Sequence, residues 1–177
     1  MTTERRTLAI EVRAKGRKLE GYAATFNNPA NIGGRFIETI KAGAFAGTLR
    51  ANRDILALVD HDPGRVLART KSGTLRLSED SKGLAFSLDV PDTSAGRDVL
   101  ALAERGDLGG MSFGFTAVDD HQAGDRRELR AVELHEISIV QAWPAYDGTF
   151  VQARSAALGA LNLHSAERAV RILELLK

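Results

Sequence analysis

Ser112 lies in the run Gly109-Gly110-Met111-Ser112-Phe113-Gly114-Phe115, where three glycines surround one hydroxyl among large apolar side chains. Met111, Phe113 and Phe115 alternate with Ser112, Gly114 and Thr116, the period of a strand with one apolar face and one face of small or hydroxyl residues. Glycine on the serine's face leaves room for another backbone to come close. A serine held on a rigid strand with space around its hydroxyl has what a nucleophile requires. The same pattern describes a half-buried strand whose serine is merely small. Two further residues have types that would complete a hydrolytic set. His61 follows the apolar run Ile55-Leu56-Ala57-Leu58-Val59 and precedes the turn residues Pro63-Gly64, and Glu136 lies within Leu134–Val140. A hydrolytic serine needs a base within hydrogen-bond reach, and the base needs a third group to fix its tautomer. Imidazole suits the base because it titrates near neutrality. The competing reading of His61 is a histidine hydrogen-bonded to a turn backbone.

Gly110-Met111-Ser112-Phe113-Gly114 also fits G-x-S-x-G, the strand-to-helix elbow of the α/β-hydrolases. The alternation continues through Val118, however, and the chain lacks repeating strand–helix units, so Ser112 reads as a residue within a strand. A metal-dependent hydrolase built on His61, Asp62, His121, His135 and a glutamate is a weaker alternative. His135-Glu136 is followed by Ile137-Ser138-Ile139, which is not H-E-x-x-H. No metal or other cofactor is expected.

The elements that must position these residues are mostly short strands. Thr7–Ala14 and Lys18–Phe26 flank Lys15-Gly16-Arg17 and read as a hairpin. Arg35–Ile40 and Asp54–His61 are strand candidates, with one or two helical turns over Ala42–Leu49 between them. Val66–Thr70, Thr74–Ser78 and Leu84–Val90 read as an antiparallel meander. Val99, Leu102 and Ala103 then share a helical stripe, with Thr93 or Ser94 as N-cap and Gly106 past the end. Asp119–Asp125 is a polar loop, and Arg126–Val140 a strand pair or one long bent strand. Trp143–Gly148 reads as a turn and Thr149–Ala153 as a short last strand. Arg154–His164, rich in small residues, reads as a linker. The final Ser165–Lys177 has an amphipathic stripe of Ala169, Ile172, Leu173 and Leu176. The expected fold class is mainly β (α+β), an antiparallel barrel or sandwich with peripheral helices.

At 177 residues and 44% hydrophobic, the chain suits one domain with a substantial core. Its 24 basic and 23 acidic residues leave a net charge of +1, which makes no electrostatic case for nucleic acid or anionic membrane. It has no cysteine, which excludes disulfides and thiolate metal sites. No apolar run is long enough to span a membrane, and the first six residues lack a signal-peptide core, so the chain is expected in the cytosol.

Six stretches resemble, in order, the caudoviral prohead proteases. They are Gly21-Tyr22-Ala23-Ala24-Thr25-Phe26, Phe36–Ile40 with Gly43-Ala44-Phe45, Leu58-Val59-Asp60-His61-Asp62, Gly110–Phe115, Glu136–Val140 and Pro144-Ala145-Tyr146. The resemblance covers roughly residues 7 to 153, which sets the expected division into a protease barrel domain at 1–153 and a linker with C-terminal helix at 154–177. It implies a barrel of about seven strands similar to herpesvirus assemblin. It also implies a serine endopeptidase that cuts the scaffold segment from the capsid protein, and usually itself, inside the procapsid in the host cytoplasm. Self-association is compatible with this; nucleic acid and membrane are not expected partners. By the same resemblance His61 is the general base and Ser112 the nucleophile. For the third member the matching segment offers Glu133, His135 and Glu136, the herpesvirus branch using a second histidine. Strand parity favours Glu136, because a regular strand would set His135 beside Ile137 and Ile139 on the core face and Glu136 beside Ser138 on the other. The sequence does not specify the oxyanion donors; the backbone amides near Gly109 and Gly110 are candidates. A non-catalytic capsid or tail assembly module on the same barrel is the alternative.

Overall fold

The structure, a computed structural model, describes residues 2–8 and 12–142. The strand, linker and helix expected after residue 142, and with them the boundary at 153/154, lie outside the described residues.

Eleven described strands form two sheets. The strands are β1 (Glu4–Leu8), β2 (Arg13–Lys15), β3 (Lys18–Thr25), β4 (Ala30–Ile32), β5 (Phe36–Ile40), β6 (Leu56–Val59), β7 (Asp62–Arg69), β8 (Leu75–Glu79), β9 (Gly83–Asp89), β10 (Gly110–Ala123) and β11 (Arg126–Val140). Helix α1 (Ala46–Arg50) sits between β5 and β6, and α2 (Ser94–Arg105) between β9 and β10. The larger sheet has seven strands in the order β1-β10-β11-β5-β4, with β6 also paired to β11 and β7 to β6; the smaller has the order β2-β3-β9-β8.

The chain is mainly β with few helices, as expected, but the described strands do not close into a barrel. Nor are they all antiparallel, since β11 pairs in parallel with β5 through Arg126–Leu129 and with β6 through Glu136–Ile139. The first expected hairpin forms about Gly16-Arg17, but its first strand is shorter than expected. The apolar run at its start divides, β1 pairing with β10 in the large sheet and β2 with β3 in the small one. The expected meander is divided in the same way, because β7 pairs with β6 while β8 pairs with β9. The expected polar loop at 119–125 is mostly strand. β10 runs on to Ala123, and Gly124-Asp125 alone make the turn into β11.

Helix α2 forms where its caps demand. The Thr93 side chain accepts from the Gly96 amide at 3.2 Å, and Gly106 takes the left-handed conformation at φ 73°. The core between the sheets is centred on aromatic rings. Phe45, buried at the start of α1, meets Phe113 edge-on at 5.5 Å, and Phe113 lies 5.2 Å from Phe115. The apolar face of β10 thereby fixes the strand that carries Ser112. Phe113→Ala is expected to lower stability by about 3–5 kcal/mol, the usual cost of an aromatic-sized cavity. Val118→Ala, on the same strand but 63% exposed, should change it little; urea unfolding of the two variants makes the comparison.

Candidate active site

His61 stands at the apex of the β6–β7 hairpin. Val59 pairs with Asp62, so Asp60-His61 is a two-residue loop, three residues earlier than the turn expected at Pro63-Gly64. Both loop residues are left-handed, at φ 51° and 61°. A type I′ hairpin requires positive φ at both positions and usually takes Asn-Gly or Asp-Gly there. A histidine in the second position is an unfavourable local choice that the surroundings must hold. Three bonds to β11 and its end do so. The Asp60 amide donates to the Ile139 carbonyl at 3.0 Å, the Gln141 amide to Asp60 Oδ1 at 2.9 Å, and the His61 amide to Ser138 Oγ at 3.2 Å.

The imidazole of His61 meets Glu136: Nδ1 lies 2.7 Å from Oε1. Both side chains are largely buried, 16% and 13% exposed, so the contact is poorly screened by solvent. An ionised carboxylate only accepts, so this contact places the proton on Nδ1 and leaves Nε2 as the basic nitrogen. The other carboxylate oxygen, Oε2, accepts from Ser138 Oγ at 2.6 Å. Room for Glu136 comes from its cross-strand partner Gly114, where a Cβ would fall 2.4 Å from Oε1.

His135 is elsewhere. The β10–β11 register steps from Gly114↔Glu136 to Phe115↔Leu134, which leaves His135 as the extra residue of a β-bulge. It therefore leaves the core face that regular alternation would give it, is partly exposed, and bonds through Nε2 to Thr116 Oγ1 at 2.8 Å. Glu133 pairs with Arg53 on the surface. His121 is exposed on the distal part of the β10–β11 hairpin, and among the described residues no His, Asp and Glu cluster could hold a metal ion.

Ser112 sits directly opposite Ser138 in the β10–β11 pairing and opposite Thr7 in the β1–β10 pairing. It is fully buried. Its hydroxyl donates to the Arg6 carbonyl at 2.9 Å and accepts from Thr7 Oγ1 at 3.1 Å. Among the described residues no hydrogen bond joins Ser112 to His61, so the structure unites His61 with Glu136 and leaves Ser112 engaged by β1. Sequence reasoning missed β1 and Thr7, because alternation does not tell which sheet a strand joins. It set Ser138 on the face of Glu136, two residues away, but gave it no role. The amide of Gly109, one of the candidate oxyanion donors, is already given to the Val140 carbonyl at 2.8 Å.

Strand β1 is pinned by a partly buried ionic cluster. Arg6 Nη2 reaches Glu38 Oε2 at 2.8 Å, and Arg127 holds Glu4 through Nη1 at 2.6 Å and Nη2 at 2.9 Å. A cleft of about 530 Å³ lies against this cluster between Thr3–Arg6, Arg35 and Arg127, and none of His61, Ser112 or Glu136 lines it. The Arg127 hydrogen bond, opposed by desolvation and reinforced by Arg6, holds the Glu4 carboxyl below its ordinary value of 4.5. A carboxyl depressed in the folded state stabilises above its unfolded value, and that contribution is lost as pH falls through the folded one. Acid should thus loosen β1 as pH drops below about 4.5. Amide exchange of residues 4–8, corrected for intrinsic rate, should rise there in the parent, and the rise should be much smaller in Glu4→Gln. A second test addresses Glu136. Gly114→Ala should leave the fold intact, since the clash is with the end of a side chain, while displacing the carboxylate from His61. The measurable result is loss of the downfield proton resonance of His61 Nδ1 without a matching fall in unfolding midpoint.

Residues 4–162 match the model of a family described as Caudovirus prohead serine protease. No curated protein matches the chain. Among solved structures, the bacteriophage T4 capsid assembly protease is similar at TM-score 0.56 and 10% identity, over 79% of this chain and 98% of that one. At that identity the likeness is one of fold.

Proposed function

The chain belongs to the caudovirus prohead serine protease family, and from that premise we propose that it is a serine endopeptidase of capsid maturation, with Ser112 as nucleophile, His61 as general base and Glu136 as the group that orients the base. Its substrate is the scaffold segment of the capsid protein, and its own termini are a second target. Cleavage takes place inside the procapsid in the host cytoplasm. The observation that carries the reading is the 2.7 Å contact of Glu136 with His61 Nδ1, on a strand whose other neighbour bears Ser112. The relation to herpesvirus assemblin is part of this proposal, with a carboxylate where that branch uses a second histidine.

In the proposed reaction Ser112 Oγ attacks the scissile carbonyl carbon and its proton passes to His61 Nε2. The imidazolium, stabilised by Glu136, returns the proton to the departing amine as the C–N bond breaks. Water then attacks the acyl-enzyme, again giving its proton to Nε2, and the acid product leaves as Ser112 regains its proton. Before attack the Ser112 hydroxyl has to turn from the Arg6 carbonyl toward Nε2, so the described conformation is a resting state. The active one follows local opening of β1, an event of lower cost than global unfolding.

The engagement of Ser112 by β1 is also the observation that favours the second reading, a non-catalytic assembly module. The two are separated by one panel assayed on the co-expressed capsid precursor: Ser112→Ala, Glu136→Gln and His135→Gln. Ser112→Ala and Glu136→Gln should each lower cleavage by several orders of magnitude, roughly 10³-fold or more by analogy with other serine triads. His135→Gln should affect it mildly. Normal cleavage by Ser112→Ala rules out the protease assignment of that serine. An inactive His135→Gln beside an active Glu136→Gln makes the triad one of two histidines.

A further inference from the structure

We propose that Ser138 is a positioning residue, which sets both the backbone of the base and the carboxylate that orients it; this rests on the reading of His61 and Glu136 given above. Ser138 Oγ is fully buried and makes three contacts. It lies 2.6 Å from Glu136 Oε2, 3.2 Å from the His61 amide and 3.3 Å from His61 Nδ1. A hydroxyl has one proton to donate. The short contact to a carboxylate oxygen claims it, because a charge-assisted bond is the stronger one. The lone pairs then accept the His61 amide. The Nδ1 proton goes to Glu136 Oε1 at the shorter 2.7 Å, which leaves the 3.3 Å contact as a weak second branch.

Among the described residues no other side chain hydrogen-bonds to both His61 and Glu136, and Ser138 thereby has two effects. First, Glu136 has one oxygen on His61 and the other on Ser138, so rotation of the carboxylate about its last torsion would break a bond at each end. Second, the His61 amide, in a left-handed conformation at φ 61°, finds its acceptor in the same oxygen atom. A buried amide without a partner would be costly and would favour a different hairpin conformation. The base and its orienting acid are therefore fixed relative to each other through one atom. Ser138 is, in addition, the residue directly opposite Ser112, so the oxygen that fixes the pair sits on the strand between His61 and the proposed nucleophile.

The test is Ser138→Ala in the full chain, with kinetics on purified capsid precursor. A further pair, Ser112→Ala with and without Ser138→Ala, is compared by proton NMR. The expected result is a kcat lower by roughly 10- to 100-fold with KM within about twofold, the effect of removing one hydrogen bond to a charged group. In the inactive pair, the downfield resonance of the His61 Nδ1 proton should be sharp with Ser138 present and broadened or lost in Ser138→Ala. A role in stability alone would lower the unfolding midpoint but leave that resonance intact in the folded protein, and this outcome overturns the proposal. So does unchanged kcat in Ser138→Ala while Ser112→Ala is inactive, a result that leaves the protease reading standing. If Ser112→Ala retains activity and Ser138→Ala has none, Ser138 is the nucleophile, and both the reading and the proposal fall.

Discussion

The register of β11 is the constraint on which the site depends. Through Glu136–Ile139 this one strand pairs in parallel with β6 on one side and antiparallel with β10 on the other. β6 ends in the hairpin that holds His61, β10 carries Ser112, and β11 itself supplies Glu136 and Ser138. Adjacent strands lie about 4.8 Å apart, so the sheet sets the spacing of all four residues before any side chain chooses a rotamer. A slip of one residue in β11 would turn Glu136 and Ser138 into the core and expose Ile137 and Ile139. Burial of those isoleucines, both with no exposed surface, is therefore what selects the register that brings a carboxylate to the imidazole. The energy that aims the polar groups comes from apolar packing on the opposite face.

Strand β1 adds a second layer. It covers the free edge of β10 with main-chain pairing from Glu4 to Leu8, and its Arg6 carbonyl takes the Ser112 proton. A neutral hydrogen bond of this kind contributes on the order of 1 kcal/mol, which His61 Nε2 can match once within reach. The resistance to opening comes from elsewhere, from Arg6 on Glu38 and from Arg127 on Glu4. These ionic side chains share no member with the His61–Glu136 pair, so the hold on β1 and the hold on the imidazole are separate.

What was legible in the sequence follows from which interactions are local. The caps Thr93 and Gly106 bound α2 because capping is settled within a few residues. The alternation around Ser112 gave its strand and its face for the same reason. The range 126–140 is legible as extended, and the choice between a strand pair and one bent strand resolves to a single strand. Partnership was not legible. The run from Thr7 onward alternates like one strand of a hairpin, yet its parts belong to different sheets, since pairing is decided by long-range packing that alternation does not encode. The hairpin apex was misplaced because Pro63-Gly64 is a strong turn signal, whereas Asp60-His61 is a turn only by virtue of its bonds to β11 and Gln141. The choice of Glu136 over His135 rested on regular parity, and regular parity fails at His135 itself.

That failure has a physical meaning. Without the bulge, Leu134 and Glu136 would share a face, and either the leucine would leave the core or the glutamate would enter it. Inserting His135 lets Leu134 remain buried against Phe115 while Glu136, one pairing further on, faces His61. The left-handed His61 is the second departure from local preference, and the two meet across the β6–β11 pairing. Local rules are broken in natural proteins mostly where a site needs a geometry that regular structure does not provide. Here the bulge aims the carboxylate and the strained hairpin aims the imidazole. The residue between them that answers to both, Ser138, follows the regular alternation, so its position is the fixed reference against which the two irregular ones are set.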